Sequence, residues 1–122
     1  YEIIQILMEG AIESMKIAVI MIEQRNFEGK ARALTKASSI IDSLRVSLDM
    51  SVGGDMTENL ASLYFYMVRR LTEATVANDA SMVKEVIELL DSIKSAWDQI
   101  PESAKQQAYS SSSETARAAA GA

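Results

Sequence analysis

Apolar residues recur in steps of three and four along most of this chain, and short polar or glycine-containing breaks divide them into four segments. This spacing puts apolar side chains on one face of a helix and predicts four amphipathic α-helices, at roughly 2–25, 30–49, 55–78 and 79–100. The positions expected to form a shared core are Ile4, Met8, Ala11, Met15, Ala18, Ile22, Leu34, Ala37, Ile41, Leu44, Leu48, Leu60, Tyr64, Met67, Leu71, Ala74, Val83, Val86, Leu90, Ile93, Trp97 and Ile100.

Turn-forming residues mark the ends of the predicted helices. Residues 26–29 and 51–54 contain Asn, Ser and Gly and are assigned to loops, with two adjacent glycines ending the second helix. An acidic residue at each end of 55–58 resembles a capping box and predicts the start of the third helix. Either Asp79 or Ser81 is expected to cap the fourth helix.

The short links determine the predicted topology, because helices of about 20 residues joined by a few residues can only reverse direction. The sequence therefore predicts an all-α fold, an antiparallel up-and-down four-helix bundle ended by Pro101, with residues 1–101 as its domain. Residues 102–122 are rich in Ser and Ala and are expected to form a flexible or weakly helical tail. No capping residue precedes the first helix, so we also expect residues before Tyr1 to have been lost.

Composition and charge narrow the class of protein. The chain has 122 residues, 48% of them hydrophobic, which is enough for one helical domain with its own core. Its net charge is −5 and it has no basic cluster, so neither nucleic acid nor an anionic membrane surface is an expected partner. The longest apolar run, 17–22, is far too short to span a bilayer. The absence of cysteine suits a reducing cytosol.

Residues that could carry catalysis or bind a cofactor are scarce. The chain has no histidine and no cysteine, and its glycine pair lacks the Lys-Ser or Lys-Thr that follows a phosphate-binding loop. We therefore expect no enzymatic activity, no cofactor and no metal site. Arg69 and Arg70 could bind an anion, but both are correctly spaced to pair with Glu73 on the same helix, which is the favoured interpretation.

The most informative feature is an excess of apolar residues outside the core positions of the first three helices. A helix in a small bundle needs one apolar stripe, so apolar residues on its other side indicate that something else covers them. These apolar residues could be covered by a partner polypeptide, by a second copy of the chain or by a lost N-terminal segment. The fourth helix has a wholly polar outer stripe. The predicted partner-binding residues are Ile6, Ile17, Ile20, Met21, Val46, Met50, Leu63, Phe65, Tyr66 and Val76.

Three stretches of the chain show a specific resemblance. The block 48–71, LDMSVGGDMTENLASLYFYMVRRL, contains a Gly-Gly pair followed by Asn-Leu, Leu-Tyr-x-Tyr and Arg-Arg-Leu. Residues 6–12, ILMEGAI, precede it, and residues 95–97, SAW, close the fourth helix. Taken together, these motifs closely resemble the family of the flagellar export chaperone FliS over about residues 1 to 100.

This resemblance implies a cytosolic helical bundle that binds the C-terminal segment of flagellin, prevents its premature polymerisation and delivers it to the flagellar export gate. The client would wrap around the bundle in partly extended and partly helical form, and the chaperone would be a monomer or weak homodimer. Many members of the family have a polar residue at the position of Phe65, so the client contacts are expected to differ there. When the client is bound, the outer residues Glu88, Asp91 and Ser95 of the fourth helix are expected to stay in contact with water. The alternative is a self-associating bundle with a structural or adaptor role.

Overall fold

Four α-helices make up the fold in the computed structural model, which describes residues 2–48 and 55–99. Helix α1 spans Glu2–Glu23, α2 spans Phe27–Ser47, α3 spans Asp55–Ala77 and α4 spans Ala80–Gln99. Each helix packs against the next one along the chain, and α4 closes the bundle against α1. The predicted all-α, antiparallel up-and-down bundle is confirmed. The α1–α2 interface is the most extensive of the four, and the α3–α4 interface is the smallest.

The core follows the predicted periodicity closely. Every predicted core position among the described residues is buried, except Leu60 and Ile93, which are half-buried against the same cluster. Met8, Met15 and Met67 are completely buried, so these three methionines fill the core. Ile100 lies outside the described residues. No helix in the described ranges is long and apolar enough to cross a membrane.

The link between α1 and α2 is shorter than the sequence indicated. Arg25 adopts a left-handed conformation with φ of 58°, and its N–H donates to the carbonyl of Ile22 at 3.0 Å. The N–H of Asn26 donates to the carbonyl of Met21 at 2.8 Å, which completes a Schellman turn. The side-chain oxygen of Asn26 then accepts from the N–H of Gly29 at 2.9 Å, so Asn26 is the N-cap of α2.

The prediction that residues 26–29 form a loop is therefore wrong. Asn26 ends one helix and begins the next, and Phe27–Gly29 form the first turn of α2. The N–H of Gly29, which has no partner within the first turn of the helix, is satisfied by this cap. A side chain at Gly29 would also meet α1, since a Cβ atom would lie 2.7 Å from the sulfur of Met21. The absence of a side chain at Gly29 thus leaves room for the Met21 side chain beside α2.

The link between α3 and α4 is built in the same way. Asn78 is left-handed with φ of 53°, and the N–H of Asp79 reaches back to the carbonyl of Ala74 at 3.4 Å. The carboxylate of Asp79 accepts from the N–H of Ser81 at 2.9 Å and from its hydroxyl at 2.6 Å. Asp79 rather than Ser81 is therefore the N-cap of α4, and these hydrogen bonds lower the pKa of Asp79. Helix α3 begins at the expected Asp55.

A buried lysine joins two of the helix ends. Lys30 is only 6% exposed, although it lies in the first turns of α2. Its ammonium donates a hydrogen bond to the carbonyl of Thr75 at 3.0 Å and another to the side-chain oxygen of Asn78. A cation is favourable at the C-terminus of a helix, where carbonyl groups lack partners within the helix. Lys30 therefore fixes the start of α2 against the end of α3.

We expect Lys30→Ala to lower the free energy of unfolding by about 2 kcal/mol, because the substitution removes hydrogen bonds from a charged donor and leaves Thr75 with an unpaired carbonyl. Urea unfolding followed by circular dichroism would measure the change. Lys36→Ala, at an exposed site on the same helix, is the control and should change stability by less than about 0.5 kcal/mol. Equal effects of the two substitutions would contradict a special role for Lys30.

Candidate protein-binding surface

Exposed apolar side chains are unevenly distributed over the bundle. In the described part of the chain, every large apolar side chain that is at least 42% exposed lies on α1, α2 or α3, and α4 has none. We call these residues the apolar surface: they are Ile3, Ile6, Ile17, Ile20, Phe27, Val46, Phe65 and Val76. On the polar outer stripe of α4, Glu88, Asp91 and Ser95 are exposed. That they stay in contact with water when a client is bound remains a prediction.

A groove between α1 and α2 contains part of the predicted site. Ile17 is exposed and Met21 half-buried along its α1 side, and Gly29 and Ala33 lie on its α2 side. The lining also includes Ser14, Asn26, Arg32 and Lys36. Small side chains on α2 keep the groove open, while the α1 residues supply its apolar character. An amphipathic segment could lie along such a groove.

Two shallow grooves lie between α2 and α3. Val76, the most exposed residue of the apolar surface at 83%, borders the first beside Thr35 and Thr72. Phe65 borders the second together with Arg45 and Ala61. Helix α2 thus has a groove on each side. Val46 lies between the two sides on the outer face of α2.

On the other side of α3, the predicted residue Tyr66 is held in a polar contact with α4. The hydroxyl of Tyr66 donates to Glu85, and the guanidinium of Arg70 donates to the other oxygen of Glu85 at 3.1 Å. Arg70 also pairs with Glu73 at 2.9 Å, and Arg69 lies 3.8 Å from the same carboxylate. The expected intrahelical pairing of both arginines with Glu73 is therefore confirmed.

The hydrogen bond between Tyr66 and Glu85 changes the pKa of both groups. It raises the pKa of Tyr66, because the neutral phenol is the donor, and it lowers the pKa of Glu85, because the carboxylate is the acceptor. Hydrogen bonding and attraction from Arg70 lower the pKa of Glu85 further. These hydrogen bonds join α3 to α4, the pair of neighbouring helices with the smallest interface.

The ten predicted binding residues do not form one cluster. Five of them follow a band that runs from the α1–α2 groove, across α2, to the α2–α3 grooves: Ile17, Met21, Val46, Phe65 and Val76. Ile6 and Ile20 are exposed on α1 and border none of these grooves. Leu63 and Tyr66 lie beyond it on the α4 side of α3, half-buried. Met50 falls outside the described residues. Whether this band binds a partner stays a prediction.

Two members of the apolar surface were missed by the sequence analysis. Phe27 was assigned to a loop, so no helix face could be given to it. In the structure it opens α2, with the guanidinium of Arg25 5.8 Å and the ammonium of Lys30 5.2 Å from its ring centre. Ile3 lies beside the predicted core residue Ile4, so its exposure could have been inferred from the helical period alone.

We expect the contacts of Glu85 with Tyr66 and Arg70, which hold α4 against α3, to weaken in acid. The folded-state pKa of Glu85 lies below its unfolded value, so its stabilising effect is complete above the ordinary carboxyl pKa of about 4 and is lost as the pH falls through the folded value. Urea unfolding between about pH 7 and pH 3 should show Glu85→Gln less stable than the parent chain at neutral pH, with the two converging in acid.

The control for this experiment is Glu88→Gln, which changes an exposed glutamate on the same helix that has no ion pair among the described residues. Its difference from the parent chain should be small throughout. A loss of stability in Glu85→Gln that does not vary with pH would contradict the expectation.

An all-helical bundle with an apolar surface on three helices is typical of proteins that bind other polypeptides. In the described part of the chain, no three acidic side chains lie close enough together to hold a metal ion. The family model described as flagellar protein FliS matches residues 1–104, and the chain belongs to this family.

Curated relatives agree with the family. The chain is 46% identical over 101 residues to the flagellar secretion chaperone FliS of Vibrio cholerae, covering 83% of this chain and 74% of the relative. It is 41% identical over 108 residues to the protein of the same name from Salmonella typhimurium, covering 88% and 80%. A more distant relative from Bacillus subtilis is 29% identical over 110 residues, covering 90% and 81%. The resemblance inferred from the motifs is therefore confirmed.

Proposed function

We propose that this chain is a cytosolic, non-enzymatic flagellar export chaperone that binds the C-terminal segment of flagellin. By covering that segment it would prevent premature polymerisation, and it would deliver the client to the flagellar export gate. Membership of the FliS family supports a flagellar client, and the relatives are named flagellar secretion chaperones. The observation that carries the proposal is the apolar surface, which is confined to α1, α2 and α3 among the described residues.

The shape of the surface suits a long segment better than a compact partner. Grooves border α2 on both sides, and exposed apolar residues lie along each of them. A partly helical, partly extended chain could place apolar side chains in one groove, cross α2 near Val46 and enter the next. Each Å² of apolar area removed from water would contribute about 25 cal/mol, against the entropy cost of ordering the client.

We expect a peptide of the flagellin C-terminal segment to bind with one-to-one stoichiometry in isothermal titration calorimetry. Because binding would bury apolar area, the enthalpy should become more negative as the temperature rises, giving a negative heat-capacity change. The intact protein should also delay the assembly of flagellin into filaments, because it would cover the C-terminal segment. Absence of binding heat at every temperature tested, together with unchanged filament assembly in the presence of the protein, would refute the proposal.

Variants of the apolar surface test where the client lies. We expect Phe65→Asp and Val76→Asp each to weaken binding about tenfold or more, because each places a charge where apolar contact is expected. Both side chains are exposed, so the helical content and the unfolding midpoint should change little. Ser95→Asp, on the exposed stripe of α4, introduces the same side chain on the opposite side and should leave affinity unchanged.

The same variants separate the chaperone from a self-associating bundle. Sedimentation velocity over a range of concentrations should show a monomer or a weak homodimer. Calorimetry should show that Phe65→Asp lowers the affinity for the client. If the chain forms a stable dimer that Phe65→Asp dissociates, and no client binding is measured, the structural or adaptor role is correct. Equal weakening by Ser95→Asp would show that the client does not use the α1–α3 side.

A further inference from the structure

The groove between α1 and α2 differs from the other grooves in its charge. Arg32 and Lys36 lie one turn apart on α2, and both side chains border the groove beside Ile17 and Met21. Both are exposed. The groove therefore combines an apolar wall from α1 with a basic edge from α2.

These two basic side chains have no ionic partner in the described part of the bundle. The ion pairs there involve Arg45, Arg69, Arg70 and Lys94, which are all held by carboxylates of neighbouring turns or helices. Glu28 lies one turn before Arg32 and is exposed, but it forms no ion pair with it. In a chain with net charge −5, Arg32 and Lys36 place two neighbouring positive charges beside an apolar groove.

The neighbouring turn adds to this charge. Arg25 lies at the end of α1, directly before the groove residue Asn26, and its guanidinium stands over the ring of Phe27. Arg25 likewise has no ion pair among the described residues. Positive charge thus borders the groove along α2 and at the turn, so its electrostatic complement is a carboxylate.

We infer that the α1–α2 groove selects an acidic amphipathic segment, with Arg32 and Lys36 as specificity-determining residues. The apolar side of the segment would contact Ile17, Met21 and Ala33, and a carboxylate flanking that side would reach the guanidinium and the ammonium. This inference rests on the proposed function, because it assigns the acidic part of the flagellin segment to this groove. The charge contacts would set the register of the client, while apolar burial supplies most of the affinity.

Charge reversal tests the inference with a closely matched control. The test variant is Arg32→Glu with Lys36→Glu. The control is Lys16→Glu with Lys84→Glu, which makes the same change in net charge at two exposed basic residues that also lack described ion pairs. Lys16 borders the cleft between α1 and α4, and Lys84 lies on the polar stripe of α4, so neither lines the α1–α2 groove.

The probes are the flagellin C-terminal peptide and the same peptide with its Asp and Glu residues replaced by Asn and Gln. We expect the test variant to bind the acidic peptide about fivefold or more weakly at low salt, while the control changes affinity less than about twofold. Raising the ionic strength from about 0.05 M to about 0.5 M should remove most of the difference. The amide peptide should bind the parent chain more weakly and should not distinguish it from the test variant.

Failure of the inference can be distinguished from failure of the proposed function. If the parent chain does not bind the flagellin peptide, the proposed function fails. If it binds, but the test and control variants weaken binding equally or not at all, the function stands and the inference is overturned. A change in self-association of the test variant without a change in peptide affinity would also overturn it, because the groove would then hold a second copy of the chain. Arg32→Gln with Lys36→Gln repeats the test if charge reversal prevents folding.

Discussion

Burial of one apolar row from each helix holds this bundle together, and the same burial limits what each helix can hide. In α4 that row includes Val83, Val86, Leu90 and Trp97, and the opposite side of the helix is polar. Helices α1, α2 and α3 contribute equally well-buried rows to the core. Their additional apolar residues therefore have no place inside the bundle and must face water or a partner. The uneven surface follows directly from this limit on the core.

The helix ends explain how a small bundle keeps these outer faces in fixed positions. Asn26 and Asp79 each terminate one helix through the backbone and begin the next through the side chain, so both links are very short. Lys30 then joins the start of α2 to the end of α3, which are far apart in sequence. Because α2 is fixed at this end, the grooves on its two sides keep their relation to each other. A partner that crosses α2 would meet a preorganised surface, which lowers the entropy cost of binding.

The sequence predicted the features that depend on period and failed at those that depend on contacts between helices. Met8 and Tyr64 could be placed in the core because the three-four rhythm extends over several turns on each side of them. Phe27 was placed in a loop because Asn and Gly near it suggest a turn, and no local pattern reveals that Gly29 allows close approach to Met21. The hydrogen bond from Tyr66 to Glu85 depends on how α3 meets α4, which periodicity does not define.

The burial of Lys30 depends both on the helical period and on a contact between helices. It continues the row of Leu34, Ala37 and Ile41 at helical spacing, so its position indicated burial while its charge argued against it. The contradiction is resolved by the end of α3, whose carbonyl and Asn78 side chain accept from the ammonium. A charged residue in a core row was thus a signal of a nearby helix terminus, and the sequence contained it.

Polar contacts differ between the α3–α4 side and the α1–α2 side of the bundle. Between α3 and α4, Tyr66, Arg70 and Glu85 satisfy one another, so a partner that bound there would first have to break their hydrogen bonds. Along the α1–α2 groove, Arg32 and Lys36 have no such described partners and stand beside apolar side chains. A carboxylate brought by a partner would gain an ionic contact there without displacing one. A carboxylate on an incoming polypeptide therefore gains most where unpaired basic side chains also border an apolar groove.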